Sequence, residues 1–294
     1  MYISGKNCLS IKFTLYVFLE YTKIIATTGW NGQFLDNTEI IDLNGNCSNS
    51  SLPKYPKALN GAMGVYINDF LLICGGERWE GSTDIFTNEC QKLSKEGVTF
   101  DVFQYMLDKR AWASGTLTND GFMWVAGGNN VEKGMLASTE VINPSDKIVF
   151  SNYDDLPEPV YRHALITLNG TTSFLIGGGL TNDEKSTDKT YYFNHITKNW
   201  TIGPKLVNRR RDHIAGLIKD HFTHEEHVVV AGGSNGYYMN STEILFNGQH
   251  DWTRGKNSII EKHTLFSKWG LALFWYFSIL ASISMCYLEL KKGV

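Results

Sequence analysis

The sequence predicts an all-β protein built from about five repeated units of roughly 50 residues each. Short apolar runs of four to seven residues recur along the chain, and each ends in glycine or asparagine, as strands before turns do. No long stretch in the middle of the chain repeats its apolar residues with the 3.6-residue period of a helix. Glycines close these runs at a near-constant interval, and the total of 28 glycines suits a protein with many tight turns.

The repeat is marked by five apolar runs that end in a glycine pair or in a single glycine. The last glycines of successive runs are 47, 52, 50 and 55 residues apart. The runs are KIIATTG (23–29), FLLICGG (70–76), FMWVAGG (122–128), SFLIGG (173–178) and HVVVAGG (227–233). The structural glycine pairs are Gly75, Gly76, Gly127, Gly128, Gly177, Gly178, Gly232 and Gly233. No helical pattern follows any pair, so a structural role at a strand end is favoured over phosphate binding.

Three further features recur at similar distances from the glycines. A small residue precedes each pair by 13 to 17 residues, at Ala62, Ala113, Ala164 and Ala215. A threonine opens a second apolar run after the polar loop, at Thr38, Thr139, Thr190 and Thr242. Tryptophans close the last two units, at Trp200 and Trp252.

Together these features resemble the kelch repeat, and the resemblance covers roughly residues 23 to 253. It implies a kelch-type β-propeller of about five four-stranded blades, or six if the last is incomplete. The first unit departs from the pattern, because Thr28-Gly29 stands in place of the glycine pair. The late tryptophan is clear only in the last two units.

The N-terminal segment 1–22 has the character of a signal peptide. Lys6 and Lys12 precede the apolar run 13–19, as the basic part of such a peptide precedes its hydrophobic part. The alternative is an extra strand beside the first blade. The propeller then covers residues 23–268, and its first unit lacks a first strand of its own. Residues 258–275 are one candidate to supply that strand from the far end.

The C-terminal segment 269–294 is predicted to contain a transmembrane helix and a short cytosolic tail. Residues 270–288 form a run of 19 residues without a charge, which just meets the length that spans a bilayer. Lys291 and Lys292 follow and place that end in the cytosol. The alternative is that the same residues form a buried strand that closes the propeller.

Sequons and cysteines favour exposure to an oxidising compartment. The glycosylation sequons are Asn46, Asn49, Asn169, Asn199 and Asn240. Cys74 ends one strand of the second unit and Cys90 falls in the next, so a cross-strand disulfide is geometrically reasonable. We expect an extracellular or plasma-membrane protein with the propeller outside. The alternative is a cytoplasmic protein in which both thiols are reduced.

No catalytic constellation is present in the sequence. It has neither a Gly-x-Ser-x-Gly elbow nor paired Cys-x-x-Cys motifs. The cluster His221, His224, Glu225, Glu226 and His227 is predicted to be a solvated hairpin tip rather than a metal site. We therefore expect no cofactor and no metal, and the net charge of −3 argues against nucleic acid as a partner. Galactose-oxidase-like enzymes also use a kelch propeller, but their copper ligands cannot be placed here.

The function predicted from the sequence is non-catalytic protein binding by loops on a rigid scaffold. The loops after the glycine pairs carry aromatic residues, a type enriched in binding hot spots. These candidate partner-binding residues are Trp30, Phe34, Trp79, Tyr237 and Tyr238. The alternatives are an enzyme on a kelch platform and a cytosolic structural, actin-binding kelch protein.

Overall fold

The protein is described by a computed structural model that covers residues 2–3, 11–12, 15–20, 23–42, 47–48, 52–67, 70–93, 97–145, 148–150, 154–168, 171–179, 185–220 and 222–255. Within these ranges the regular secondary structure is β-strand. The segment 270–288, predicted to be a transmembrane helix, lies outside them. None of the described residues belongs to a helix that is long and apolar enough to cross a membrane. The chain divides into two compact units, residues 1–161 and 162–294.

The first blade contains the antiparallel strands β1 (Tyr2–Ile3), β2 (Ile11–Lys12), β3 (Leu15–Glu20), β4 (Lys23–Trp30), β5 (Phe34–Asp42) and β6 (Cys47–Ser48). β3 pairs with β4 from Leu15 opposite Thr27 to Glu20 opposite Lys23. The expectation that this blade lacks its own first strand is therefore wrong. Glu20 and Lys23 form the last pair of this register, so the two charged residues flank the turn of a hairpin. β3 lies within the predicted signal peptide, and its pairing agrees with the alternative of a strand.

The second blade has four strands in the order β12-β11-β8-β7 and a separate hairpin of β9 and β10. Its strands are β7 (Met63–Ile67), β8 (Phe70–Cys74), β9 (Glu77–Glu80), β10 (Thr83–Phe86), β11 (Glu89–Leu93) and β12 (Phe100–Tyr105). Burial alternates along β7, whereas every residue of β8 is buried. β8 is therefore covered on both faces, which explains its continuous apolar run.

The third blade repeats this plan with the strand order β13-β14-β17-β18 and a short hairpin of β15 and β16. Its strands are β13 (Ser114–Leu117), β14 (Met123–Ala126), β15 (Asn129–Asn130), β16 (Gly134–Met135), β17 (Thr139–Asn143) and β18 (Ile148–Phe150). Thr139 opens β17, as predicted for the second apolar run of the unit. All four residues of β14 are buried.

Successive blades of unit 1 pack side by side through their first strands, since β3 lies beside β7 and β7 beside β13. One apolar core joins the second and third blades and includes Met63, Leu72 and Val125. Within unit 1 a recurring backbone hydrogen bond also ties each blade to the chain segment that follows it. The backbone N–H of the last glycine of a run donates to a carbonyl that precedes the next blade: Gly29 to Leu59 at 2.6 Å, Gly76 to Arg110 at 2.9 Å and Gly128 to Val160 at 2.9 Å.

Unit 2 holds the fourth and fifth blades, each a four-stranded antiparallel sheet in sequence order. The strands are β19 (Ala164–Thr167), β20 (Thr172–Ile176), β21 (Thr190–Asn194), β22 (Asn199–Ile202), β23 (Ile214–Lys219), β24 (Glu226–Ala231), β25 (Thr242–Leu245) and β26 (Thr253–Arg254). β19 lies beside β23. Phe174 and Val230 belong to one buried cluster between the blades, which the predicted late tryptophan Trp252 completes.

The glycine pairs serve two different structural needs. In the second, third and fifth blades both glycines have positive φ, for example 67° at Gly75 and 107° at Gly76, where a side chain would be strained. Gly177 and Gly178 are not among the residues with positive φ. Here close approach requires glycine, because a Cβ on Gly178 would lie 1.8 Å from the carbonyl oxygen of Arg210.

The second to fifth blades also share a residue in the left-handed conformation, two positions before the first residue of the blade's first strand. It is Gly61, Trp112, Arg162 or Asp212, with φ between 52° and 65°. The next residue is therefore equivalent in each blade, and in order it is Ala62, Ala113, His163 and His213. The distance from the glycine pairs placed Ala164 and Ala215 at this position, but they lie one and two residues beyond it. Loop lengths differ among blades, so counting back from the glycines does not fix this position.

Candidate partner-binding surface

Three of the predicted aromatic residues form one cluster, which we call the aromatic cluster: Trp30, Phe34 and Trp79. The ring centroids are 5.1 Å apart for Trp30 and Phe34, 5.6 Å for Trp30 and Trp79, and 5.4 Å for Phe34 and Trp79. All three pairs meet edge to face, the arrangement that aromatic quadrupoles favour. The sequence named these residues separately, and the structure brings them together.

Two hairpins position the aromatic cluster. Trp30 and Phe34 are paired across the tip of the β4–β5 hairpin. Gly32 in this tip has a φ of +116°, which favours glycine at that place. Trp79 comes from the β9–β10 hairpin, where it lies opposite Asp84. The first and second blades each supply one hairpin, so the cluster links two blades of unit 1.

The aromatic cluster offers a packed apolar surface and little net charge. Trp79 is 58% exposed, while Trp30 and Phe34 are partly buried. Arg78 and Glu80 flank Trp79 and form an ion pair of 2.7 Å with each other. Because the three rings touch, the cluster is not a cage with room for a ligand between its walls. It is suited instead to contact an apolar group from outside.

Tyr237 and Tyr238 lie in the loop that follows the glycine pair of the fifth blade, in unit 2. They are 85% and 77% exposed. The loop is ordered by its backbone, since Asn235 N–H donates to the carbonyl of Tyr237 and Ser234 bridges to Tyr238. Their rings are thus presented to solvent, as predicted, on a short loop.

The polar cluster between β23 and β24 is a hairpin tip. A carboxylate oxygen of Asp220 accepts N–H groups from Thr223 at 2.8 Å and Phe222 at 2.7 Å, and these bonds lower the pKa of Asp220. The imidazole of His227 is buried, and its Nδ1 accepts the N–H of Asn247 at 3.0 Å. His221 lies outside the described residues. In the described part of the chain, no three His, Cys, Asp or Glu side chains are grouped to hold a metal.

Cys74 and Cys90 lie directly opposite each other on β8 and β11 and are joined by a disulfide, which supports the predicted pair. Asn199 at the start of β22 and Asn240 in the loop before β25 are both exposed. The sequons at Asn46, Asn49 and Asn169 lie outside the described residues.

Two buried histidines were missed by the sequence reading. His163 and His213 are each 7% exposed, and none of their four ring nitrogens has a hydrogen-bond partner among the described residues. Burial lowers the pKa of His163 to about 3. Burial also lowers the pKa of His213 well below its ordinary value, and the nearby charges of Arg210 and His163 add to this effect. Both histidines occupy the position of Ala62 in the repeat, so a correct alignment of the blades with one another would have identified them.

No protein-family model matches the sequence, and no curated protein matches it. A solved structure described as "Structure of YjhT" superposes with a TM-score of 0.70 at 14% sequence identity. The match covers 85% of this chain and 84% of that chain. At this identity the likeness concerns the fold alone. Together with the repeated four-stranded antiparallel sheets, it shows that this chain has the fold of a β-propeller.

Proposed function

We propose that this protein is a non-catalytic binding module that presents blade loops to a protein partner, with the aromatic cluster as its main contact surface. The observation that carries this proposal is the contact among Trp30, Phe34 and Trp79, with Trp79 58% exposed. Tryptophan is enriched among the few interface residues that supply most of the binding energy. An exposed tryptophan supported by two further rings fits that role.

The geometry also lowers the entropic cost of binding. Trp30 and Phe34 are held by strand pairing on both sides of a tight turn, and Trp79 by a second hairpin. Side chains that are already ordered lose less freedom when a partner binds. The surface therefore acts as a pre-organised patch on a rigid scaffold, as binding loops often do.

The test compares Trp79→Ala with the wild-type chain and with Val98→Ala, a matched control at another exposed apolar residue of unit 1 (73% exposed). Each immobilised protein captures binders from the native source, which are quantified by mass spectrometry. We expect at least one protein to bind wild type and Val98→Ala and to lose roughly tenfold or more of its binding to Trp79→Ala. Circular dichroism checks that all three chains are folded. Equal capture of every protein by all three chains would overturn the proposal.

We further propose that the propeller faces the extracellular side and is anchored through residues 270–288. The exposed sequons Asn199 and Asn240 and the Cys74–Cys90 disulfide support exposure to an oxidising compartment. The uncharged length of 270–288 supports an anchor. Since β3 pairs with β4, we propose that residues 15–20 stay in the mature chain even if the N-terminus directs secretion.

Carbonate extraction of membranes from cells that express the full chain tests the anchor. We expect the full chain in the pellet and a chain that ends at Lys268 in the supernatant as folded protein. Full-length protein in the supernatant would contradict the anchor. Aggregation of the truncated chain would instead favour the closing strand, because removal of that strand would expose a sheet edge.

A further inference from the structure

His163 and His213 occupy equivalent positions in the fourth and fifth blades. Each follows the left-handed residue before the first strand of its blade, where the second and third blades have Ala62 and Ala113. Alanine therefore satisfies the backbone at this position. The two imidazoles of unit 2 are larger than alanine, and each brings two polar nitrogens to this position. The blades of unit 1 show that the fold does not require them.

The imidazole of His213 lies where the two blades of unit 2 meet. A Cβ added to Gly178 of the fourth blade would lie 2.4 Å from Cε1 of His213, and one on Gly233 of the fifth blade would lie 3.0 Å from its Cβ. The side chain thus runs from the glycine end of one blade to that of the other. His163 is close enough to influence the charge of His213.

The charged groups around the pair do not favour protonated imidazoles. Arg210 adds a positive charge beside His213, and its partner Glu243 is fully engaged by that guanidinium and by backbone N–H groups. Asp212 is paired with Arg162 at 3.2 Å and approaches Arg211 at 3.8 Å. Both neighbouring carboxylates are therefore already held by arginines. A proton on either imidazole would create a buried charge without a counter-charge of its own.

We propose that His163 and His213 form a proton-sensitive joint between the fourth and fifth blades. When both imidazoles are neutral, the glycine ends of the two blades pack closely around His213, and His163 lies near enough to act on it electrostatically. When protons bind, the new charges repel one another and Arg210, draw in water, and loosen the contact between the blades. Acid therefore destabilises unit 2 at this joint, whereas the alanines at the same position make unit 1 insensitive there.

The direction of the pH dependence follows from the burial of both rings. In the unfolded chain histidine takes up a proton near pH 6.5, but in the folded chain the pKa of His163 is lowered to about 3 and that of His213 is also lowered. The unfolded state thus binds more protons as the pH falls. The stability is fully present above pH 6.5 and is lost as the pH falls from there towards 3. Each histidine raises the unfolding constant by roughly 25-fold between pH 7 and pH 5.

The experiment measures the urea unfolding of the full chain between pH 7.5 and pH 5 for wild type, His163→Ala, His213→Ala and the double variant. Alanine is the matched replacement, because it occupies the position in the second and third blades. In each single variant we expect the increase of the unfolding constant from pH 7 to pH 5 to be roughly 25-fold smaller than in wild type. In the double variant it should be smaller by the product of the two single factors. The exposed His250→Ala serves as a control that keeps the wild-type slope.

The slope with pH separates proton sensitivity from packing, since a cavity left by alanine changes stability equally at every pH. The same slope for wild type and the double variant would overturn the proposal. A second measurement covers the case in which a variant does not fold. In proton NMR of the wild-type chain, we expect two imidazole Cε1–H signals that stay at neutral positions down to pH 5.5. Titration of all histidine signals near pH 6.5 would equally overturn it.

Discussion

Nη2 of Arg210 donates a 2.6 Å hydrogen bond to Oε1 of Glu243, and both side chains are 0% exposed. Nη1 of the same guanidinium donates to the carbonyls of Gly232 and Ser241, while Glu243 accepts the N–H of Val207. The pair therefore ties the loop before β23 to the glycine pair and to β25. Arg110 and Glu140 form the same arrangement in the third blade.

We predict that Glu243→Gln destabilises the protein by about 3–5 kcal/mol, because it leaves the Arg210 charge buried without its counter-charge. The second blade indicates how the pair can be replaced, since Leu59 and Gln91 stand at the equivalent positions. The double variant Arg210→Leu with Glu243→Gln should recover at least about half of the loss. Urea unfolding at pH 7.5 measures both.

Lys54→Ala is the control for this prediction, because it breaks an exposed ion pair with Asp36 and should cost at most about 1 kcal/mol. If Glu243→Gln costs no more than Lys54→Ala, the buried pair does not hold the loop. If the double variant is as unstable as the single one, the loss comes from the backbone hydrogen bonds of Glu243 rather than from the unpaired charge.

The regular spacing of the glycines was sufficient to predict the fold class. The strands that precede each pair could also be predicted, because a strand that is buried on both faces is apolar throughout. The spacing did not reveal β3, since two charges at a hairpin turn look the same as charges that end a targeting signal. Nor did it fix the register of the first strands. That register depends on the left-handed residue, and Trp112 or Arg162 at such a position gives no local signal.

The binding surface was predicted residue by residue but not as a unit. Exposed loops after the glycines pointed to Trp30, Phe34 and Trp79, yet their contact depends on how two hairpins of neighbouring blades lean towards each other. That geometry is tertiary and has no sequence signature. The buried histidines needed both the register and the packing, because a histidine before a strand is otherwise indistinguishable from an exposed one.

We predict that oxidised protein yields a linked peptide pair containing Cys74 and Cys90 in non-reducing mass spectrometry. The bridge joins two residues with a sequence separation of 16, so Cys90→Ala should lower stability by about 3 kcal/mol under oxidising conditions. Under reducing conditions wild type and variant should differ far less. Free alkylation of both thiols in unreduced, denatured protein would contradict the disulfide.

We predict that protein made in a secretory host carries N-glycans at Asn199 and Asn240, because both residues are exposed and begin a sequon. Treatment with an N-glycosidase should increase the mobility of the protein on gels. Asn199→Gln and Asn240→Gln should each reduce that shift by the contribution of one glycan. If no shift occurs in the wild-type protein, the propeller does not pass through the glycosylating compartment of that host.

The contact between Gly178 and the carbonyl of Arg210 predicts a large effect of a single methyl group. A Cβ at Gly178 would lie 1.8 Å from that oxygen and 2.4 Å from Cε1 of His213, and backbone on one side cannot move away without separating the blades. Gly178→Ala should therefore cost at least about 3 kcal/mol.

Gly216→Ala is the matched control in the same unit, since a Cβ there meets nothing within 4 Å. At that position alanine should be neutral or stabilise by about 0.5 kcal/mol, because it restricts the unfolded chain. Thermal unfolding of both variants measures the difference, and equal melting temperatures would show that the fourth and fifth blades do not meet as closely as this glycine implies.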